Sequence, residues 1–181
     1  MVKIYTKVGD KGYTKQVTGK MVPKYDLQIE ALGAIDELDS WVGYCAANLS
    51  KETKEIQPEL TEIQRNLYLL QADLVVKTHN EMSLELTTKM EKRIDELVKI
   101  VEPIRAFILP GGKKSGASLQ YARTLARRAE RRIAELNEKQ EPVSAEIMQY
   151  LNRLSDYLFE LARFANQLDG YVEIESKKNK R

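Results

Sequence analysis

The chain has 181 residues, 43% apolar and 31% charged, a composition that supports one domain with a hydrophobic core and excludes wholesale disorder. Its 29 basic and 27 acidic residues leave a formal charge of +2, so no global polycation exists to hold nucleic acid, and anion binding must come from local clusters. One cysteine, no apolar stretch of membrane-spanning length and an N-terminus, "MVKIYTKVGD", without a signal-peptide core exclude an internal disulfide framework and predict a cytoplasmic protein.

Residues 1–25 read as an extended arm with little to bury. Thr6, Lys7, Gly9, Asp10, Lys11, Gly12, Thr14 and Lys15 supply hydroxyls, ammonium groups and unhindered backbone N–H groups. That inventory suits a polyphosphate chain, and it equally suits a mobile hairpin. Ala31, Ile35, Leu38, Val42, Cys45 and Leu49 then alternate steps of four and three, which predicts a helix with one buried seam. Cys45 on that seam reads as a small buried thiol. "NLSKET" offers Ser50 as the N-cap of a second helix, with seam residues Ile56, Leu60, Ile63, Leu67, Leu70 and Leu74. After the polar connector "THNEMSLELT" come Met90, Ile94, Leu97, Val101 and Ile104. "LPGGKKSGAS" precedes Leu119, Ala122, Ala126, Ala129, Ile133 and Leu136, and "EKQEPVS" places Pro142 at the first turn of the last helix. Its seam runs Ile147, Leu151, Leu154, Leu158, Leu161, Ala165 and Leu168, and "ESKKNKR" reads as a charged tail. The expected architecture is all-α: a five-helix antiparallel bundle over 26–170 behind the arm, with a flexible charged tail over 171–181.

Ordinary nucleophilic and zinc chemistry lack their parts. His79 is the only histidine and sits in a polar connector, and there is no Glu-x-x-His pair for a di-iron site. Three features depart from plain bundle logic. In "ARTLARRAERRIAEL", Arg123, Arg127 and Glu130 share one helix face within about 60°, Arg128 and Arg132 point elsewhere, and Arg131 lies between. A solvated charged face fits that pattern as well as an anion site does. The Gly-rich "LPGGKKSGAS" feeds that helix; it departs from the Walker spacing and reads as an anion cradle or as a helix–helix turn. The arm is the third. Together they suit a polyanionic ligand held by cations, with no protein nucleophile or base, so that the nucleophile would come from a cofactor.

"TKVGDKGYT", "PKYDLQIEALGAIDELDS", "FILPGGKKSGASLQYARTLARRAERR" and "LNRLSDYLFELARFAN", in this order, resemble the PduO-type ATP:cob(I)alamin adenosyltransferases. The resemblance implies a homotrimer with active sites at subunit interfaces. It implies transfer of the 5′-deoxyadenosyl group of MgATP to the cobalt of cob(I)alamin, with release of triphosphate. Co(I) attacks C5′ directly, which needs no general base. A reductase or a cobalamin-dependent acceptor enzyme is the implied protein partner, Mg2+ the implied metal, carried by ATP, and no nucleic acid or membrane is expected.

By the same resemblance Thr6, Lys7, Val8, Gly9, Thr14, Lys15 and Lys24 wrap the triphosphate, and the arm orders mainly when ATP is bound. Arg127, Arg128, Glu130, Arg131 and Asn152 contact nucleotide, with Arg127 assigned to phosphate charge and Glu130 to the nucleoside or to orienting the arginines. Asp36 pairs with Arg123 across the subunit interface. Phe107 lies under the corrin and keeps the lower axial base off cobalt, against its simpler role as the last core residue before a turn. Lys7 and Val8 stand where the family often has arginine and threonine, losing a planar fork and a hydroxyl, and Tyr13 is bulkier than the usual residue there. Two other readings are a non-catalytic bundle whose arginines bind an acidic surface, and a nucleotide or corrinoid carrier without turnover.

Overall fold

The computed structural model describes residues 5–177. Its helices are α1 (Leu27–Ala47), α2 (Gln57–Val75), α3 (Leu84–Ile100), α4 (Lys114–Lys139) and α5 (Ala145–Leu168), behind a ribbon of two short antiparallel strands, β1 (Tyr13–Lys15) and β2 (Met21–Pro23). The four-three spacing does what it predicts: Ala31, Ile35, Leu38, Val42 and Cys45 on α1 and Leu60, Ile63, Leu67 and Leu70 on α2 are buried in one continuous core with the seams of α4 and α5. Each fully buried Leu or Ile contributes about 2 kcal/mol. Burial also pushes the Cys45 thiol up to about 11, the state of an inert core thiol.

Helix ends differ from the expected ones for identifiable reasons. Ser50 does not cap α2. It accepts from the Thr53 N–H and donates to Asp169 Oδ1 at 2.6 Å, while its own N–H reaches Ser115 Oγ, tying three connections together. A 3₁₀ turn, Lys54–Ile56, then leads into α2, whose first turn carries Pro58. Pro142 lies outside α5, because the Ser144 side chain takes the cap by accepting from Ile147 N. The third seam overruns: α3 stops at Ile100, Val101 is its cap, and Ile104 is exposed, since Pro103 biases Glu102 away from helical geometry.

Neighbouring helices follow the order α2, α1, α4, α5, α3. α1 and α4 run antiparallel, as Trp41 Nε1 donates to Ser118 O near one end and Arg128 pairs with Glu37 towards the other. α3 runs in the same direction as α5: Arg153 meets Glu91 near the middle of both, and Gln167 meets Ile100 at the end of both. That sense requires the connector 101–113 to cross the end of the bundle. Among the described residues, α2 and α3 are joined by long side chains, through Lys89–Glu62 at 2.6 Å and Arg93–Glu59 at 2.9 Å.

The arm carries structure of its own. Thr14 pairs with Val22, Gln16 N donates to Lys20 O at 2.8 Å, and Gly19 closes the turn at φ 88°, a region only glycine enters freely. Residues 171–177 of the charged tail dock rather than trail away: Leu109 N donates to Ile174 O and Ser176 N to Phe107 O. The remainder of that tail, 178–181, lies outside the described residues. No helix among the described residues is long and apolar enough to cross a membrane.

Candidate active site

The arm loop folds around Lys24. Lys7 takes a positive φ of 63°, Gly12 N donates to Gly9 O at 3.2 Å, and Lys24 N donates to Gly12 O at 2.9 Å. The Lys24 ammonium lies over Gly9, where a Cβ would stand 3.2 Å from Nζ, so glycine is what lets the loop close on the cation. Thr6 Oγ1 accepts weakly from Val8 N, and the side chains of Thr6, Lys7 and Val8 are exposed. Thr14 and Lys24 line an open cleft of about 530 Å³ whose other wall is Arg128 and Arg132 of α4. Lys15 alternates to the opposite side of the ribbon, against the Gly19 turn.

The arginine helix is divided between two flanks. Facing α1, Arg128 pairs with Glu37 at 2.5 Å, and Arg132 pairs with Glu135 at 3.1 Å and with Glu30 at 3.7 Å. Facing α5, Asn152 Nδ2 donates to Glu130 Oε1 at 2.8 Å. Arg131 Nη1 donates to the Arg127 carbonyl and Arg123 Nε to Gln120 Oε1 at 3.0 Å. Among the described residues Arg123, Arg127, Arg131 and Asp36 form no ion pair. Burial, and then the neighbouring Arg127 charge, hold the Arg123 pKa below its ordinary value, which marks a cation short of counter-charge. The chain therefore brings Thr14, Lys24 and Arg128 together, joins Glu130 to Asn152, and does not join these two sets.

Phe107 is 86% exposed, which removes its reading as a core residue. It stands on the connector before α4. Because a helix rises about 1.5 Å per residue, the path from Lys113 to Arg127 separates that connector from Arg127 by about 20 Å along α4. The Gly-rich turn is explained by packing. A Cβ at Gly112 would come within 1.8 Å of Asn166 Oδ1, and one at Gly116 within 2.0 Å of the same atom. Asn166, 1% exposed, occupies that notch and donates from Nδ2 to Gly111 O at 3.0 Å.

A family model described as cobalamin adenosyltransferase matches residues 4–165, spanning the arm, the arginine helix and most of α5. The chain belongs to the cobalamin adenosyltransferase family. Within that family it is 39% identical over 183 residues to the corrinoid adenosyltransferase of Bacillus subtilis, covering 98% of this chain and 94% of the relative. It superposes with a TM-score of 0.91, at 36% identity, on a single-residue variant of the PduO-type ATP:corrinoid adenosyltransferase of Lactobacillus reuteri complexed with cobalamin and ATP, covering 97% of this chain and all of that one. Another variant of that enzyme, complexed with ATP, superposes with a TM-score of 0.90 at 37% identity, over 96% of this chain and all of that one.

In this adenosyltransferase-family chain, buried polar residues hold the candidate site elements in place. Gln28 accepts from Gln16 Nε2 of the arm at 2.9 Å and donates to Leu74 O and to Glu141 Oε1, so it fastens the arm to the bundle floor. It stands one three-residue step before Ala31, on the phase of the buried seam, so its burial was signalled by spacing although its polar side chain hid the signal. Asn166 and Arg163 are buried off the α5 seam; Arg163 lies two residues from both Leu161 and Ala165, and it is covered by the connector and the returning segment through Glu102 and Glu173, which helix spacing does not encode.

Proposed function

We propose that this protein transfers the 5′-deoxyadenosyl group of MgATP to the cobalt of a reduced corrinoid, cob(I)alamin, and that it works as a homotrimer with its sites between subunits. The match over residues 4–165 carries the reading, because it takes in the arm and both flanks of α4 and not the bundle alone. The relatives are named corrinoid adenosyltransferases, and the Lactobacillus reuteri enzyme is described in complex with cobalamin and ATP.

The electron pair of Co(I) forms the Co–C5′ bond as the C5′–O bond breaks, and triphosphate leaves with the electrons of that C5′–O bond. The protein's task is to align the two substrates and to meet the charge on the leaving group. Thr6, Lys7, Val8, Gly9, Thr14, Lys15 and Lys24 bind the triphosphate, Val8 and Gly9 through main-chain N–H groups. Arg127, Arg128 and Arg131 add charge, and magnesium arrives with the nucleotide. The Glu130–Asn152 pair holds the nucleoside side. Asp36 of one subunit pairs with Arg123 of the next, which fits the absence of an ion pair for either among the described residues of one chain. Phe107 keeps water and the lower axial base from cobalt. The protein acts in the cytoplasm, where a reductase or a corrinoid-dependent enzyme is its transient partner.

Anaerobic mixing of the protein with chemically reduced cob(I)alamin and MgATP tests this directly. Light-sensitive adenosylcobalamin with matching triphosphate is expected. ATP binding without product would convert the reading to a carrier, and no ATP binding would remove it.

A further inference from the structure

The last two turns of α5 grip the connector that carries Phe107. Arg163 is 4% exposed, and its guanidinium is fully engaged. Nε donates to Glu173 Oε2 at 3.0 Å, Nη1 to Glu160 Oε2 at 3.0 Å, and Nη2 to the Glu102 carbonyl. One turn on, Gln167 accepts from Glu102 N at 2.9 Å and donates to Ile100 O at 3.1 Å. The chain then reverses, with Tyr171 N donating to Asn166 O. It runs antiparallel to the connector, with Leu109 N to Ile174 O at 2.8 Å and Ser176 N to Phe107 O at 2.7 Å. Connector and returning segment thus form a two-stranded clasp with Arg163 at its root.

Apolar packing does not hold this clasp. Phe107 is 86% exposed, Val172 84% and Ile174 54%, and a cavity of about 320 Å³ lies beneath, between the connector, Arg163 and Tyr171. What fixes the position of Phe107 is main-chain pairing plus the ion-pair cluster. Burial pushes the Glu160 carboxyl up while Arg163 draws it down, so the cluster depends on the guanidinium remaining seated. A buried charged triad is a poor source of net stability compared with apolar packing, but it fixes direction: the Glu173 carboxylate can meet Nε from only a narrow range of tail positions.

We infer that Arg163 is a positioning residue for the corrinoid: through Glu102 and Glu173 it sets the clasp that presents Phe107, and so governs corrinoid affinity without governing ATP affinity. The inference rests on the proposed function for its substrate, whereas the clasp itself is a property of the chain. Arg163 lies at the end of the bundle away from the arm, so loosening the clasp leaves the nucleotide residues in place.

Removing Arg163 would strand the buried Glu160 carboxylate and the partly buried one of Glu173 and endanger the fold, so the test uses its tail partner. In Glu173→Ala, amide exchange at Leu109 and Ser176 speeds up and the KM for cob(I)alamin rises roughly tenfold or more, while the KM for ATP is unchanged. The spectroscopic signature of four-coordinate cob(II)alamin weakens in parallel. Glu173→Gln keeps an acceptor for Arg163 Nε and restores all of these towards wild type. A wild-type corrinoid KM and spectrum in Glu173→Ala, or an equal rise in both KM values, overturns the inference. If the wild-type protein binds no corrinoid at all, the proposed function falls and the corrinoid role of Arg163 with it, while the exchange rates still judge the clasp on its own.

Discussion

At Gly116 the helix needs a missing side chain rather than a flexible backbone. Its φ is helical, yet an added methyl would meet Asn166 Oδ1 at 2.0 Å and the Ala162 carbonyl at 2.9 Å, and the second of these is backbone that cannot swing aside. Gly116→Ala is expected to cost about 2–3 kcal/mol, against the small gain that alanine gives in an unobstructed helix, read as a lower denaturant midpoint at unchanged slope. A midpoint equal to or above wild type would mean that the α4–α5 contact is looser than described. Arg127 and Arg132 pose a different question on the same helix. Arg132 is already engaged by Glu135 and Glu30, whereas Arg127 forms no ion pair among the described residues, which leaves it free for the triphosphate of the proposed reaction. Arg127→Ala is therefore expected to lower kcat/KM by about 100-fold or more and Arg132→Ala by only a few-fold. Equal losses in steady-state assays would shift the assignment to the α1 flank.

Elements are held in register by polar groups as well as by the apolar seams. Gln28 links the arm to α2 and to the α4–α5 connection, so Gln28→Met should raise the KM for ATP several-fold while leaving the KM for corrinoid alone; parallel changes in both would place Gln28 in general stability. The α2–α3 connection is organised by Asp73. Burial alone would push its carboxyl up, but the N–H groups of Met82 and Glu81 and the His79 ring outweigh that and hold it below the usual carboxylate range. A depressed folded pKa contributes stability that is present above the unfolded carboxylate value of about 4 and is lost as pH falls through the folded value. Asp73→Asn is thus expected to cost about 1–3 kcal/mol near neutral pH, with the gap to wild type closing below about pH 4 in denaturant titrations. The seams of α1, α2, α4 and α5 were readable because four-three spacing is a local property. Helix ends were not: Ser50 is drawn into a knot with Asp169, more than a hundred positions away, and no local pattern encodes that partner. The glycines of the α3–α4 turn were visible, and their reason, a buried amide from the far end of α5, was not.

At the scale of the whole molecule, one chain holds the site residues in two sets. The arm, Lys24 and Arg128 gather on the α1 flank of α4, and Glu130 and Asn152 pair on the α5 flank. The family resemblance was legible in four segments, but this division was not, since neighbouring positions on one helix, Arg127 and Arg128, serve opposite sides. In the proposed trimer a head-to-tail ring would resolve it by setting the arm of one copy against the α5 flank of the next, and such a heterologous contact can be tested by mixing. Asp36→Asn should weaken the ring, seen as a shift to smaller species in sedimentation. Lys24→Ala disables the arm half and Arg127→Ala the other half, and each alone is expected to be nearly inactive. When the two are co-refolded or co-expressed in equal amounts, a site is intact only where an arm from an Arg127→Ala subunit meets a flank from a Lys24→Ala subunit. Random assembly gives that combination in about one site in four, so roughly a quarter of wild-type activity returns. If each chain instead folded both halves around its own nucleotide, every site would contain one defect and mixing would recover nothing. Recovery in a sample whose subunits were never allowed to exchange would point to a contaminant, so the unmixed proteins, combined only in the assay, serve as the control.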